Sequence, residues 1–196
     1  MMLMKLDVND RLVKSYEMYT GGNYAGALPE LLELVNEDKS GYAALYLGAM
    51  YYLGKGVAAD RQLAENYFKD ASEKGIQSAK SNLAMIYESK GAADKAAELY
   101  LSIANTGEAQ AMYKLFVLKN KFPSLSIDTE TVEKFLSAAA EKKYGMALLE
   151  IQKRELSGRY GVVRKVKAVA LYPIRTLAIL KAISSRVSDK NIEIVN

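Results

Sequence analysis

The segment Ala43–Asp60 reads AALYLGAMYYLGKGVAAD. Ala43 and Leu47 stand one helical turn apart. The run Gly54, Lys55, Gly56, Val57 then interrupts the helical pattern. The same Ala-x-x-x-[Leu/Ile] opening returns at Ala79/Leu83, Ala111/Leu115 and Ala147/Ile151, at offsets of 36, 32 and 36 residues. A fixed period of about 20–50 residues marks a solenoid, in which each unit buries its apolar face only against its neighbours. The expected architecture is all-α, with about four helix-pair repeats and a helical C-terminal extension.

The second helix of each pair repeats as faithfully as the first. Leu28, Leu31, Leu32 and Val35 are followed by Ala64, Tyr67, Phe68 and Ala71, then Ala96, Leu99, Tyr100 and Ile103, then Val132, Phe135, Leu136 and Ala139. Spacing at i, i+3, i+4 and i+7 gives each segment one apolar stripe. From the last member of each set to the next opening Ala is always eight residues, so the turn between units has a fixed length. Gly75 and Gly107 occupy matching places in that turn and read as helix C-caps. The loop within each unit absorbs the variation. Tyr51 to Ala64 is 13 residues, Tyr87 to Ala96 is 9, and Lys119 to Val132 is 13, so the 32-residue offset is a four-residue deletion in one loop. Asp60, Asp94 and Asp128 precede second helices and are expected to cap them. Pro123 suits the third loop, since proline cannot sit comfortably inside a helix. Helices are expected near 9–20, 23–37, 41–53, 60–74, 76–89, 92–106, 108–120, 128–143 and 145–157, with no strand.

Composition narrows the chemistry. The 196 residues are 50% hydrophobic, enough for a packed core. There is no cysteine and no histidine, which removes disulfides, thiolate nucleophiles, Ser-His and Cys-His pairs, and the commonest metal ligand. No cofactor, metal site or catalytic residue is expected, and the chain is read as a non-enzyme. Tryptophan is absent while tyrosine occurs 14 times. No apolar run of signal-peptide type opens the chain, and no stretch reaches the length of a spanning helix. A cytoplasmic protein is therefore the default.

Residues 43–75, with Gly48, the Gly54-Lys55-Gly56-Val57 loop, Asp60, Ala64, Tyr67, Phe68, Ala71 and Gly75, resemble the Sel-one-like repeat (SLR), the longer-looped relative of the tetratricopeptide repeat. The second unit keeps Ala79, Leu83, Ala84, Tyr87 and Gly91 with a shorter loop and is closer to a plain tetratricopeptide repeat. Later units keep only the Ala and the aliphatic position, with Phe116 and Gln152 replacing the small residue. The resemblance covers about residues 22–157 and is strongest over 41–111. It implies a right-handed α-α superhelix over residues 1–157, with repeats near 8–40, 41–75, 76–107 and 108–144 and a partial unit at 145–157. It also implies protein–protein interaction, often in bacterial envelope, signalling or host-contact systems. The small residue at Gly48 and Ala84 lets paired helices approach closely. Phe116 is expected to push its pair apart or alter its packing.

First helices line the concave face of such stacks. Counting from Leu47, the groove positions are Tyr42, Leu45, Ala49 and Tyr52, then Ser78, Ser81, Met85 and Glu88, then Gln110, Tyr113, Val117 and Asn120. Tyrosine, methionine and short polar groups suit a groove that holds a protein segment or peptide. The competing reading is that several of them contact the adjacent unit. The Gly54–Val57 run lacks the P-loop Gly-Lys-[Ser/Thr] and follows a helix, so it reads as a structural turn rather than a phosphate site. Glu30, Glu33 and Glu37, like Glu65 and Glu73, fall opposite the apolar stripes and read as solvated surface rather than acid–base machinery.

Charge is segregated. Residues 1–157 carry 19 Lys and Arg against 21 Asp and Glu, a net of −2, whereas residues 158–196 carry 8 against 2, a net of +6. In the tail, Val162, Val166, Val169, Pro173, Leu177, Leu180 and Ser184 form one stripe, and Pro173 divides it into helices near 161–171 and 173–187. Three roles compete. The tail can cap the last unit. It can bind an anionic membrane surface through Arg159, Arg164, Lys165, Lys167 and Arg175, which would make the chain a peripheral accessory of an envelope or polysaccharide system at the inner membrane face. Nucleic acid is the least favoured partner, because only Tyr160 and Tyr172 could stack on bases and no recognition motif is present. An exposed solenoid face can also pair with a second copy, so a homo-oligomer stays open.

Overall fold

In this computed structural model, residues 7–157 and the single position Leu177 are described. Among them, nine helices follow one another with no strand: α1 (Val8–Thr20), α2 (Tyr24–Asn36), α3 (Gly41–Leu53), α4 (Arg61–Glu73), α5 (Gln77–Ser89), α6 (Ala93–Ala104), α7 (Ala109–Lys121), α8 (Thr129–Glu141) and α9 (Gly145–Leu156). Each lies within two residues of its expected range. They fall into two compact units that divide between Ser89 and Lys90. The first holds α1 to α5 and the second α6 to α9.

Within each unit a helix packs mainly on its neighbours in sequence, α1 on α2, α2 on α3, α3 on α4 and α4 on α5 in one, α6 on α7, α7 on α8 and α8 on α9 in the other. This is nearest-neighbour solenoid packing. The buried apolar residues are those of the two repeating stripes. Ala43, Leu47, Ala64, Phe68 and Ala71 are fully enclosed in the first unit, and Leu115, Val132, Leu136, Ala139 and Ala147 are enclosed in the second.

The loops within pairs alternate. Residues 21–23 and 90–92 form three-residue connections, whereas 54–60 and 122–128 are seven residues long. The four-residue deletion inferred from the period is therefore the difference between two loop types. In the long loop of the first unit, Gly54 and Gly56 take left-handed φ values of 66° and 71°. A Cβ on Gly56 would also collide with Tyr24. The segment is a structural turn, and Lys55 lies over the rings of Tyr19 and Tyr24 at 5.5 and 5.7 Å. In the long loop of the second unit, Lys119 Nζ donates to the carbonyls of Pro123 and Leu125, both at 2.8 Å.

The fixed turn between pairs has a conformational reason. Lys39, Gly75, Gly107 and Lys143 share one register position, and all four have positive φ, at 54°, 84°, 93° and 59°. Gly75 directly follows the C-cap of α4, and Gly107 stands two residues beyond that of α6. Left-handed backbone at this point reverses the chain after each second helix. Two of the four turns achieve it with lysine, against the usual steric cost.

Two capping expectations hold and one does not. Asp60 accepts from the Leu63 amide at 2.9 Å and Asp128 from the Thr131 amide at 2.7 Å. Asp94 instead lies inside the first turn of α6, whose N-cap is Ala92 with no side-chain bond. The three-residue loop starts this helix earlier, so Asp94 complements the helix dipole rather than capping it. Pro29 sits inside α2, at its sixth residue, and is exposed.

Candidate functional site

The close approach inside a pair is visible at Gly48. A Cβ there would meet Cδ1 and Cε1 of Phe68 at 2.7 Å, so only glycine lets α3 settle on α4. At the equivalent place in the second unit, Phe116 is buried and α7 still packs on α8. The Arg154 guanidinium, from α9, covers the Phe116 ring at 4.6 Å.

With the pair so closed, the groove residues predicted in the first unit separate into two groups. Leu45 and Ala49 are 2% and 0% exposed and present no surface to a partner, a correction to the sequence reading. Ala49 has no side chain beyond Cβ to reach outward, and Leu45 is enclosed by the helices around α3. Tyr42 is 52% exposed, Ser78 is exposed, and Tyr52, Ser81, Met85 and Glu88 are half-buried. Tyr52 on α3 and Met85 on α5 come together with Phe68 and Asn82 around a narrow gap that has no room for a water molecule. Phe68 and Asn82 are buried there, so the half-buried Tyr52 and Met85 are the members of this group that reach the surface. Arg61 lies over the Tyr52 ring, 5.9 Å from its centre.

In the second unit Gln110, Tyr113 and Val117 are half-buried and Asn120 is exposed. Tyr113 packs within its own unit, its ring 6.0 Å from Phe116 and 5.6 Å from Tyr144. Burial raises its pKa, and the charge of Glu150 adds to the effect. Arg159, Arg164, Lys165, Lys167 and Arg175, proposed from sequence for an anionic surface, lie outside the described residues.

The sequence reading missed a tyrosine cluster in the first unit. Tyr46 of α3 lies 5.4 Å from Tyr16 and 5.7 Å from Tyr19, both on α1, and Tyr19 meets Tyr24 edge-on at 5.7 Å. Burial lifts the hydroxyls of Tyr19 and Tyr46 to pKa values of about 12. Exposed Tyr42 sits one turn before Tyr46 on the same helix.

It also missed two buried arginines, and it misread part of the carboxylate surface. Arg11 is 8% exposed and pairs with Glu30 at 2.5 Å, Glu33 at 3.0 Å and Asp38 at 3.2 Å. Arg154 is 6% exposed and pairs with Glu133 at 2.6 Å and Glu150 at 3.0 Å. Glu65 is buried rather than solvated and pairs with Lys69 at 2.8 Å. That bond raises the Lys69 pKa. These carboxylates neutralise fixed cations, which is a structural role. Among the described residues no helix is long and apolar enough to cross a membrane.

Comparison with solved structures agrees with this architecture. The chain superposes on a Sel1 repeat protein from Oxalobacter formigenes with a TM-score of 0.69 and 19% identity, covering 85% of this chain and 69% of that one. It also superposes on c5321, a protective antigen of uropathogenic Escherichia coli displaying an SLR fold, with a TM-score of 0.71 and 23% identity. That match covers 88% of this chain and 38% of the antigen. No family model and no curated protein matches the sequence. The fold is therefore that of the Sel1-type helical-repeat solenoids.

Proposed function

We propose that this chain is a non-enzymatic adaptor that binds a protein segment against its first helices. One observation carries the reading. Tyr52 and Met85, chosen from repeat register alone, come together on α3 and α5 of the first unit, and both are half-buried with part of each side chain accessible. An aromatic ring beside a thioether on adjoining helices suits an apolar side chain of a partner laid across them. Tyr42 and Ser78 extend the accessible surface on the same two helices. The Sel1-type fold supports an interaction role. The two arginine-centred carboxylate clusters are tied into packing and are not available for acid–base work.

Quantitative affinity capture from the native host tests this, with tagged wild type beside Tyr52→Glu, Met85→Glu and the opposite-face control Asn66→Glu. A specific protein lost by about tenfold or more in both groove variants and retained by the control supports the site. Equal recovery by all four chains rejects it.

A further inference from the structure

The turn into α4 leaves one cation at the docking face without a carboxylate of its own. Arg61 is the first residue of α4 and is exposed. Its guanidinium lies 5.9 Å from the centre of the Tyr52 ring, close enough for a cation–π contact. The two carboxylates nearest to it in sequence are engaged elsewhere. Asp60 caps α4 by accepting from the Leu63 amide at 2.9 Å. Glu65, one turn along from Arg61, is buried and pairs with Lys69 at 2.8 Å. Among the described residues no acidic side chain pairs with Arg61. Lys55, the other cation of this connection, lies over Tyr19 and Tyr24 instead. Arg61 is therefore the charge that stands at Tyr52.

The helices that form the face do not neutralise it. α3, which supplies Tyr42 and Tyr52, carries no charged side chain from Gly41 to Leu53. The acidic residue of α5 is Glu88, one turn past Met85. The face thus has a positive side chain at Tyr52 and a negative one beyond Met85. An arginine already resting on an aromatic ring has less side-chain freedom to lose on pairing. Its planar fork also matches a carboxylate with two hydrogen bonds.

We propose that the protein segment docked here carries an aspartate or glutamate side chain beside its apolar one, and that Arg61 binds that carboxylate. This rests on the adaptor reading and names the chemistry of its partner. The apolar side chain lies across Tyr52 and Met85, and the acid falls on the Tyr52 side. Glu88 sets the direction by repelling an acid placed at Met85. Because Arg61 is exposed, the pair selects among partners more than it adds affinity.

Acetylated and amidated nonapeptide pools test this on the immobilised full chain at low ionic strength. Each pool has leucine at its centre and Glu, Gln or Lys fixed at one other position. Wild type and Asn66→Glu retain the best Glu pool about threefold more than the matching Gln pool, and the preference fades in high salt. Arg61→Gln removes the preference, and Arg61→Glu turns it toward the Lys pool. An acidic residue in the first turn suits the helix dipole, so the reversed variant keeps its helices, which circular dichroism checks. Equal retention of Glu and Gln pools by wild type, or a Glu preference unchanged in Arg61→Gln, overturns the proposal. The neutral Gln pools read the adaptor surface separately. Their retention by wild type and loss in Met85→Glu upholds that surface even where the Glu preference is absent, whereas retention of no pool rejects both.

Discussion

Gly48 and Phe68 touch so closely that the smallest possible side chain would not fit between them: a Cβ on Gly48 falls 2.7 Å from the Phe68 ring. Glycine inside a helix ordinarily costs about 0.5–1 kcal/mol relative to alanine, so Gly→Ala is usually stabilising. Here the sign reverses. Gly48→Ala is expected to destabilise by about 1–3 kcal/mol through overpacking. In the background of Phe68→Leu, which removes the ring, the same change is expected to be nearly neutral. Urea denaturation of the four chains in this cycle measures it. A higher midpoint for Gly48→Ala alone would show that the contact relaxes freely.

The shared left-handed turn gives a prediction that contact inspection would not. Lys39 and Lys143 hold the conformation that Gly75 and Gly107 hold without strain. Lys39→Gly and Lys143→Gly are each expected to stabilise by about 0.5–1 kcal/mol, despite the entropy glycine adds to the unfolded chain. Gly75→Lys is expected to lose a similar amount. Thermal melts of the three single variants check the ordering.

Arg154 ties α8 to α9 and covers Phe116 at once. Arg154→Met keeps much of the stem but leaves Glu133 and Glu150 without this cation. A loss of about 2 kcal/mol is expected, less than for a fully buried pair because both glutamates are partly exposed. Glu133→Gln/Glu150→Gln added to Arg154→Met is expected to recover part of it. Chemical denaturation of the single and triple variants measures the recovery.

Tyr19 and Tyr46 have folded-state pKa values near 12, above the ordinary value of 10. Ionisation therefore favours the unfolded chain. The stabilisation from keeping these hydroxyls neutral is complete below pH 10 and is lost as pH rises toward 12. Tyr46→Phe should flatten this alkaline loss. Tyrosinate absorbance followed together with circular dichroism tests it. Ionisation of all tyrosines near pH 10 with the helices intact would contradict the burial of the cluster.

Much of this fold was legible because a solenoid is local. The helices, the eight-residue step and the loop deletion all follow from the placement of Ala43, Leu47 and their equivalents, which are contacts within one repeat length. What escaped is what the period does not encode. Arg11 meets Glu30 and Asp38 across 19 and 27 residues, and nothing local distinguishes it from a surface arginine. Glu65 looked solvated because its own helix gives no sign of what covers it. Leu45 and Ala49 were placed by register, which gives direction but not exposure. Tyr52 and Met85 stay partly accessible because their side chains are long enough to reach outward from the same register.

The adaptor reading turns on the accessible faces of Tyr52 and Met85. Its most direct test is the binding isotherm of the captured partner, by titration calorimetry, to wild type, Met85→Glu and Asn66→Glu. Saturable binding to wild type and Asn66→Glu, weakened by about tenfold or more in Met85→Glu, is the predicted result. Indistinguishable affinities for all three chains, with Met85→Glu shown to be folded, would contradict it.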